Sequence, residues 1–380
     1  MSALPRFVLL YAAMYAAYGV ASPFLPAFVN SRGIAPEELG LVLGTGTAVR
    51  LVSAPLAGRI GDVLEALRTV LVLCIALAAL TTLGYLSAEH FWTFLAVSAL
   101  QAAALAPMTV LADALALGAA RRQGFEYGWV RGTGSAAFIV GTLAAGQAIA
   151  AAGLDVIVTL QALLLGVAAA AALFVPDLPH AHAARAERES VAILLRLREF
   201  RYVVLIAALV LGSHAMHDAF AMIRWRAAGV GPTTGALLWS EAVLAEVVVF
   251  FAIGPMLVRR LTPPGALALA AIAGIVRWSV MATSTQVLAL ALVQPLHGIT
   301  FALLHLACMR VIARTVPAAL AGTAQAIYGT VGIGGATALA TFSSGSLYGR
   351  LGASGFWVMA LVCAGAVPLV WRLARASALH

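Results

Sequence analysis

Twelve long apolar segments separated by short polar stretches constrain this chain more than any motif in it. They run approximately over residues 7–29, 39–60, 67–86, 91–118, 127–151, 154–175, 202–228, 234–258, 266–283, 287–312, 321–347 and 355–373. Each is close to or above the roughly 20 residues that an α-helix needs to cross a hydrocarbon core about 30 Å thick. Lipid tails offer no partner to a backbone N–H or C=O, and the ten-residue alternating segments of a transmembrane barrel are absent, so helices are the expected spans. With 63% hydrophobic and 10% charged residues among 380, there is too little polar side chain to cover a water-soluble surface. The expectation is an all-α membrane protein of twelve transmembrane helices, with the lipid bilayer as its surroundings.

The net charge is +8, carried by arginines that are placed unevenly. With both termini cytoplasmic, Arg6, Arg59, Arg68, Arg121, Arg122, Arg185, Arg188, Arg196, Arg198, Arg201, Arg259, Arg260, Arg310, Arg314, Arg372 and Arg375 fall on the inner side, against Arg32, Arg224, Arg226 and Arg350 outside. That bias sets the orientation expected of a multi-pass protein of a bacterial inner membrane. It also accounts for the positive charge, and no aromatic-interleaved basic patch points to a nucleic acid. The first segment is too long for a signal-peptide core and is expected to stay in place as a helix. Cys74, Cys308 and Cys363 stand singly in three different apolar segments, which argues against disulfides or a thiolate metal site.

One long loop divides the segments six and six. It contains Pro176, Pro179, His180, His182 and a charged run from Arg185 to Arg201, and His180 and His182 read as a solvated face rather than metal ligands. The expected organisation is a six-helix bundle over residues 1–175, a cytoplasmic linker over 176–200 and a second six-helix bundle over 201–380. Gly58 and Asp62 close the second segment as Gly254, Arg259 and Arg260 close the eighth, so the halves repeat. Gly44 and Gly46, Gly132 and Gly134, and Gly332, Gly334 and Gly335 follow no strand and make no phosphate cradle; Gly134, Gly141, Thr142 and Gly146 read as helix-packing positions. No nucleophile elbow, metalloprotease signature or metal-ligand spacing occurs, so neither an enzyme, a metal nor a cofactor is expected.

Ionisable groups inside a span cost about 2.5 to 3.5 kcal/mol each on insertion scales and mark pathways or partners. Here they are numerous: Arg50, Asp113, Arg131, His214, His217, Asp218, Glu241, Glu246, Arg277, His297 and His305. Arg50, Asp218, Glu246, Arg277 and His297 lie roughly ten to sixteen residues from a segment end, near one central depth. Asp113 and Arg131, on adjacent spans, are expected to pair. Gln294, His297, Phe301 and His305 share a face at helical spacing, as do His214, His217 and Asp218. The plainer reading is that such groups only neutralise one another and fix helix register; the size of the set favours a central site.

Repeated helical halves around a mid-membrane site are the plan of rocker-type secondary transporters. The loop after the second segment, with Gly58, Asp62 and a displaced Arg68, resembles the gating loop of the major facilitator superfamily. Phe125-Glu126-Tyr127-Gly128-Trp129-Val130-Arg131 resembles the same region of lactose permease-type proton symporters. That likeness implies substrate binding at Arg131 and Asp113, and proton coupling at Arg277 and His297; it departs at Thr300, where those symporters carry a proton-bearing Glu. Nearly the whole chain is similar to the 3-phenylpropionate transporter branch, through Asp113-Ala-Leu-Ala-Leu, Tyr127 to Phe138, Leu238 to Phe250, Arg277-Trp278, Gln294 to Ala307, Ala324 to Tyr328 and Phe356 to Ala360.

The function expected is proton-coupled import of a small organic acid, such as an aryl carboxylate, by a monomer whose only coupling partner is the proton. Arg131 or Arg50 would hold the carboxylate, with Asp113 nearby and Tyr15, Tyr18, Phe24, Trp129 or Phe301 as a stacking wall. Glu246 or Asp218 beside Arg277 would take the proton, with His297 and His217 as relays. The alternatives are a proton-coupled sugar or nucleoside symporter, for which Asp113 and Arg131 would grip hydroxyls, and a drug or metabolite exporter.

Overall fold

The structure, a computed structural model, describes residues 3–177 and 188–377, all of them helix or connecting turn, with no strand among the described residues. Pro179, His180, His182 and Arg185 of the expected linker lie outside the described residues. The passes are α1 (Leu4–Ala21), α2 (Pro36–Val63), α3 (Leu67–Leu86), α4 (Phe91–Gln123), α5 (Tyr127–Ala152), α6 (Val156–Ala172), α7 (Arg198–Ala227), α8 (Pro232–Arg260), α9 (Thr262–Thr283) and α10 (Val287–Thr315). The last apolar stretch, Ala318–Ala376, is 59 residues long, too long for one crossing. It breaks at Gly352, whose φ of 54° no helix continues, into α11 (residues 318–351) and α12 (Gly355–Ser377). Among the described residues this makes twelve passes, as the apolar segments predict.

Ends differ where capping chemistry overrides hydropathy. Helix α4 runs on from the expected end near residue 118 to Gln123, because Gly124 supplies the left-handed terminating residue (φ 72°) and Arg121 and Arg122 complement the negative end of the helix. Three passes contain π-helical turns: Val249–Ile253 in α8, Ile299–Leu303 in α10 and Tyr328–Gly335 in α11.

The described residues pack into two compact units, one within 1–183 together with 225–237, the other within 184–224 together with 238–380. The short stretch 225–237, which is the end of α7, the turn after it and the start of α8, thus belongs with the first unit rather than the second. In the first unit α1 packs on α5 and α6, α2 on α4, and α3 on α4 and α6. In the second, α7 packs on α11 and α12, α8 on α10, and α9 on α10 and α12. Adding six to each number of the first list gives the second, so the sequence repeat is a repeat of packing. Even the turns correspond: Glu65 (φ 50°) after α2 and Thr262 (φ 61°) after α8 are the two positive-φ non-glycine residues among the described residues.

Small residues bring the backbones together. A methyl group on Gly19 would strike the Phe138 carbonyl and one on Gly141 the Ala16 carbonyl, and Thr142 Oγ1 donates to Gly19 O at 2.9 Å. These contacts fix α1 against α5. In the second unit a methyl on Gly298 would lie 2.6 Å from the Ala245 carbonyl oxygen, so α10 meets α8 at that point.

The loop residues singled out as a gating motif are not joined. Gly58 has open space where a side chain would stand, and the Asp62 carboxylate forms no hydrogen bond or ion pair with the described residues, its backbone carbonyl accepting from Glu65 N–H at 3.3 Å. Arg68 turns instead to the end of α6, its Nε 3.9 Å from Asp177 and its Nη1 donating to Val175 O at 3.4 Å.

Candidate functional site

Each unit holds a cluster built around an arginine within its helices. In the first, α1 presents Tyr11, Tyr15 and Tyr18 at i, i+4 and i+7, which is one helix face. The Tyr11 and Tyr15 rings are stacked at 5.7 Å, and Tyr15 and Tyr18 meet edge to face at 5.6 Å. Tyr18 Oη donates to Leu105 O at 3.2 Å. Gly134 on α5 clears the space for the Tyr15 ring, which stands 3.0 Å from where its methyl would be. One turn earlier on α5, the Arg131 guanidinium lies over that ring, 4.8 Å from its centroid.

Asp113 departs from expectation. Its Oδ1 accepts from Tyr11 Oη and from Tyr127 Oη, the latter at 2.7 Å, and no ion pair joins it to Arg131 among the described residues. Two phenol donors hold one oxygen of the carboxylate, in place of the expected arginine. Arg131 Nη1 in consequence is buried without a hydrogen-bond partner among the described residues. Arg50 is exposed and also forms no hydrogen bond or ion pair there, its charge within electrostatic reach of Tyr18 and Tyr85. Trp129 is 70% exposed and joins neither cluster. Spaced two residues from Arg131, it points to the other side of α5, as interfacial tryptophans do.

In the second unit, Arg277 on α9 is wholly buried, its guanidinium 4.6 Å above the Trp278 ring. Among the described residues no carboxylate pairs with it, in contrast to the expected Glu246 or Asp218. It bonds instead to His297 Nδ1 (3.1 Å), His217 Nε2 (3.4 Å) and Gln294 Oε1 (3.1 Å). The far nitrogens of the two imidazoles reach the carboxylates: His297 Nε2 to Glu246 Oε2 at 3.2 Å, and His217 Nδ1 to Asp218 Oδ1 at 3.3 Å. The result is one chain, Asp218–His217–Arg277–His297–Glu246. His217 also stacks on Trp239 (4.9 Å) and His297 on Phe301 (5.5 Å).

His305 leaves the face shared by Gln294, His297 and Phe301. The π turn over Ile299–Leu303 shifts the helix phase between them, and His305 Nδ1 meets Tyr328 Oη at 3.2 Å instead. Thr300 is buried and donates to His297 O at 3.2 Å. Sequence reasoning missed Tyr11 and Tyr127 as partners of Asp113, and missed the bridging role of Gln294. The spacing of the α1 tyrosines was the available signal for the first.

A twelve-helix membrane bundle in two repeated halves, each with an internal ionisable cluster, defines a secondary transporter, and the chain belongs to the MFS_1 like family, matched over residues 4–359. It is 34% identical over 371 residues to the "Probable 3-phenylpropionic acid transporter" of Escherichia coli (strain K12), covering 94% of this chain and 95% of that one. It is 25% identical to the "Maltose permease" of Geobacillus stearothermophilus, covering 94% and 91%. Its fold matches the crystal structure of the nucleoside transporter NupG with a TM-score of 0.86 at 15% identity, covering 99% of both chains.

Proposed function

We propose that the protein imports small aryl carboxylates together with protons across a bacterial inner membrane, as a monomer with both termini cytoplasmic and no cofactor beyond the coupling proton. The observation that carries this reading is the buried, unpaired Arg131 Nη1 lying on the face of Tyr15. A guanidinium nitrogen without an acceptor in a buried place is unfavourable, and a carboxylate relieves it through paired hydrogen bonds. The aryl group of the same molecule then finds the rings of Tyr11, Tyr15 and Tyr18. The 34% identical relative bears the name of an aryl acid transporter, which supports the same substrate class.

Asp113 weighs against sugars and nucleosides. A hydroxyl-rich substrate needs acceptors as well as donors, and one of the two Asp113 oxygens is already engaged by two tyrosines. The test is competition for uptake of labelled 3-phenylpropionate by unlabelled aryl acids, sugars and nucleosides, in wild type and in Arg131→Lys. Aryl acids alone should compete. The lysine keeps the charge but loses the paired geometry, and KM should rise about tenfold or more, the equivalent of one such hydrogen bond. Competition by sugars, or an unchanged KM in Arg131→Ala, would overturn the reading.

A further inference from the structure

We infer that the two histidines of the Asp218–His217–Arg277–His297–Glu246 chain are not proton carriers but neutral bridges locked in opposite tautomers, and that the chain takes one proton, at a carboxylate end. The inference rests on the proton-symport reading for its role in transport, though the tautomers follow from the geometry alone.

The lock follows from donor and acceptor identity. An arginine has donors only, so each ring nitrogen facing Arg277 must offer a lone pair. His297 Nδ1 is therefore bare and its hydrogen sits on Nε2, where it is donated to Glu246. His217 is the mirror case: Nε2 faces Arg277 and is bare, and Nδ1–H is donated to Asp218. Gln294 reinforces this arrangement. Its Oε1 accepts from Arg277, which turns its amide N–H toward the same His217 Nε2, at 3.3 Å. Adding a proton to either ring would set an N–H against the N–H of a buried guanidinium, losing a hydrogen bond and placing two like charges in contact.

Exposure runs the same way. Arg277 is 0% exposed and the imidazoles 4% (His217) and 17% (His297), whereas the carboxylates at the ends are 57% (Asp218) and 30% (Glu246). The ends of the chain are open to the surface and the middle is not. Two carboxylates and one guanidinium leave one uncompensated negative charge on the chain, which a single proton cancels. The other titratable groups near it lie outside the bonded set. His214 on α7 has its ring 5.1 Å from that of His297 and its Nε2 unpartnered; Cys363 on α12 is bonded to Ser213; Glu241 on α8 forms no hydrogen bond or ion pair with the described residues. Gln294 is thus a positioning residue, acting through the tautomer of His217.

The first test is the imidazole nitrogen spectrum of the full chain, labelled with 15N-histidine and held in lipid nanodiscs, between about pH 5.5 and about pH 8, the range in which a free histidine titrates. His217 should carry its hydrogen on Nδ1 and His297 on Nε2 throughout, with signals assigned by their loss in His217→Asn and His297→Gln. An imidazolium signal that disappears in either variant would overturn the lock. The second test is transport. Glutamine at 297 accepts through Oε1 and donates through Nε2, so His297→Gln should keep accumulation responsive to the pH gradient even as its rate falls, while Glu246→Gln should cut accumulation about tenfold or more and spare exchange. Loss of coupling in His297→Gln with intact exchange would overturn the inference. Absence of proton-driven uptake in the wild type would sink the symport reading while the spectrum still decided the tautomers.

Discussion

The environment of Asp113 decides what Arg131 is free to do. Two tyrosine hydroxyls occupy one oxygen of the carboxylate, one donated from α1 and one from the first turn of α5, and Arg131 keeps its Nη1 without a partner among the described residues. Removing one of those hydroxyls should redirect the pair. In Tyr127→Phe, a hydrogen bond to a charged group worth about 1.5 to 3 kcal/mol is lost, and Asp113 gains reason to bond Arg131. Uptake kinetics should then show a KM for 3-phenylpropionate raised about tenfold or more with Vmax little changed, since ground-state binding is what has been lost. An unaltered KM would mean the tyrosine clamp does not hold Arg131 available. This arrangement was half legible in the sequence. Tyr11, Tyr15 and Tyr18 fall on one helix face by counting, but whether Asp113 turns to a tyrosine on α1 or to Arg131 on α5 depends on the rotation of three helices, which spacing does not set.

At the level of elements, close helix crossings place the side chains that bond. Helix α10 meets α8 where Gly298 passes the Ala245 carbonyl, one residue from His297 and one from Glu246. Gly298→Ala would force the backbones apart, at about 1 to 3 kcal/mol for overpacking, and stretch the His297–Glu246 bond beyond its 3.2 Å. A lower thermal midpoint in detergent and weaker proton coupling are expected together. Gly132→Ala is the control, because no atom lies within 4 Å of that added methyl, and it should change neither. Equal effects from the two substitutions would show that helix propensity, not the crossing, is responsible. Both glycines stand inside apolar spans, and only the partner backbone tells them apart. The π turns were beyond sequence reading for the same reason: the phase shift that takes His305 from the shared face to Tyr328 comes from tertiary packing, not from residue type.

The molecule as a whole was the most legible level. Twelve spans, the absence of strands among the described residues and the repeat of two halves all follow from the length and spacing of apolar runs, because the bilayer leaves a backbone so few alternatives. The ionisable residues were recognisable as a set, but their bonding was not. Arginine paired with a carboxylate is the usual economy of a buried charge, and this chain interposes a histidine on either side. The charges of the two clusters complement the proposed cargo: an unpartnered guanidinium nitrogen of Arg131 for one carboxylate, and one surplus negative charge for one proton.

Uptake of labelled 3-phenylpropionate into proteoliposomes under an imposed pH difference tests this account most directly. One proton carried with each monocarboxylate makes the loaded step electrically neutral. Accumulation should therefore rise about tenfold per pH unit, alkaline inside, and be indifferent to a membrane potential set by potassium and valinomycin. Accumulation that ignores the pH gradient, or that follows the potential instead, would contradict it.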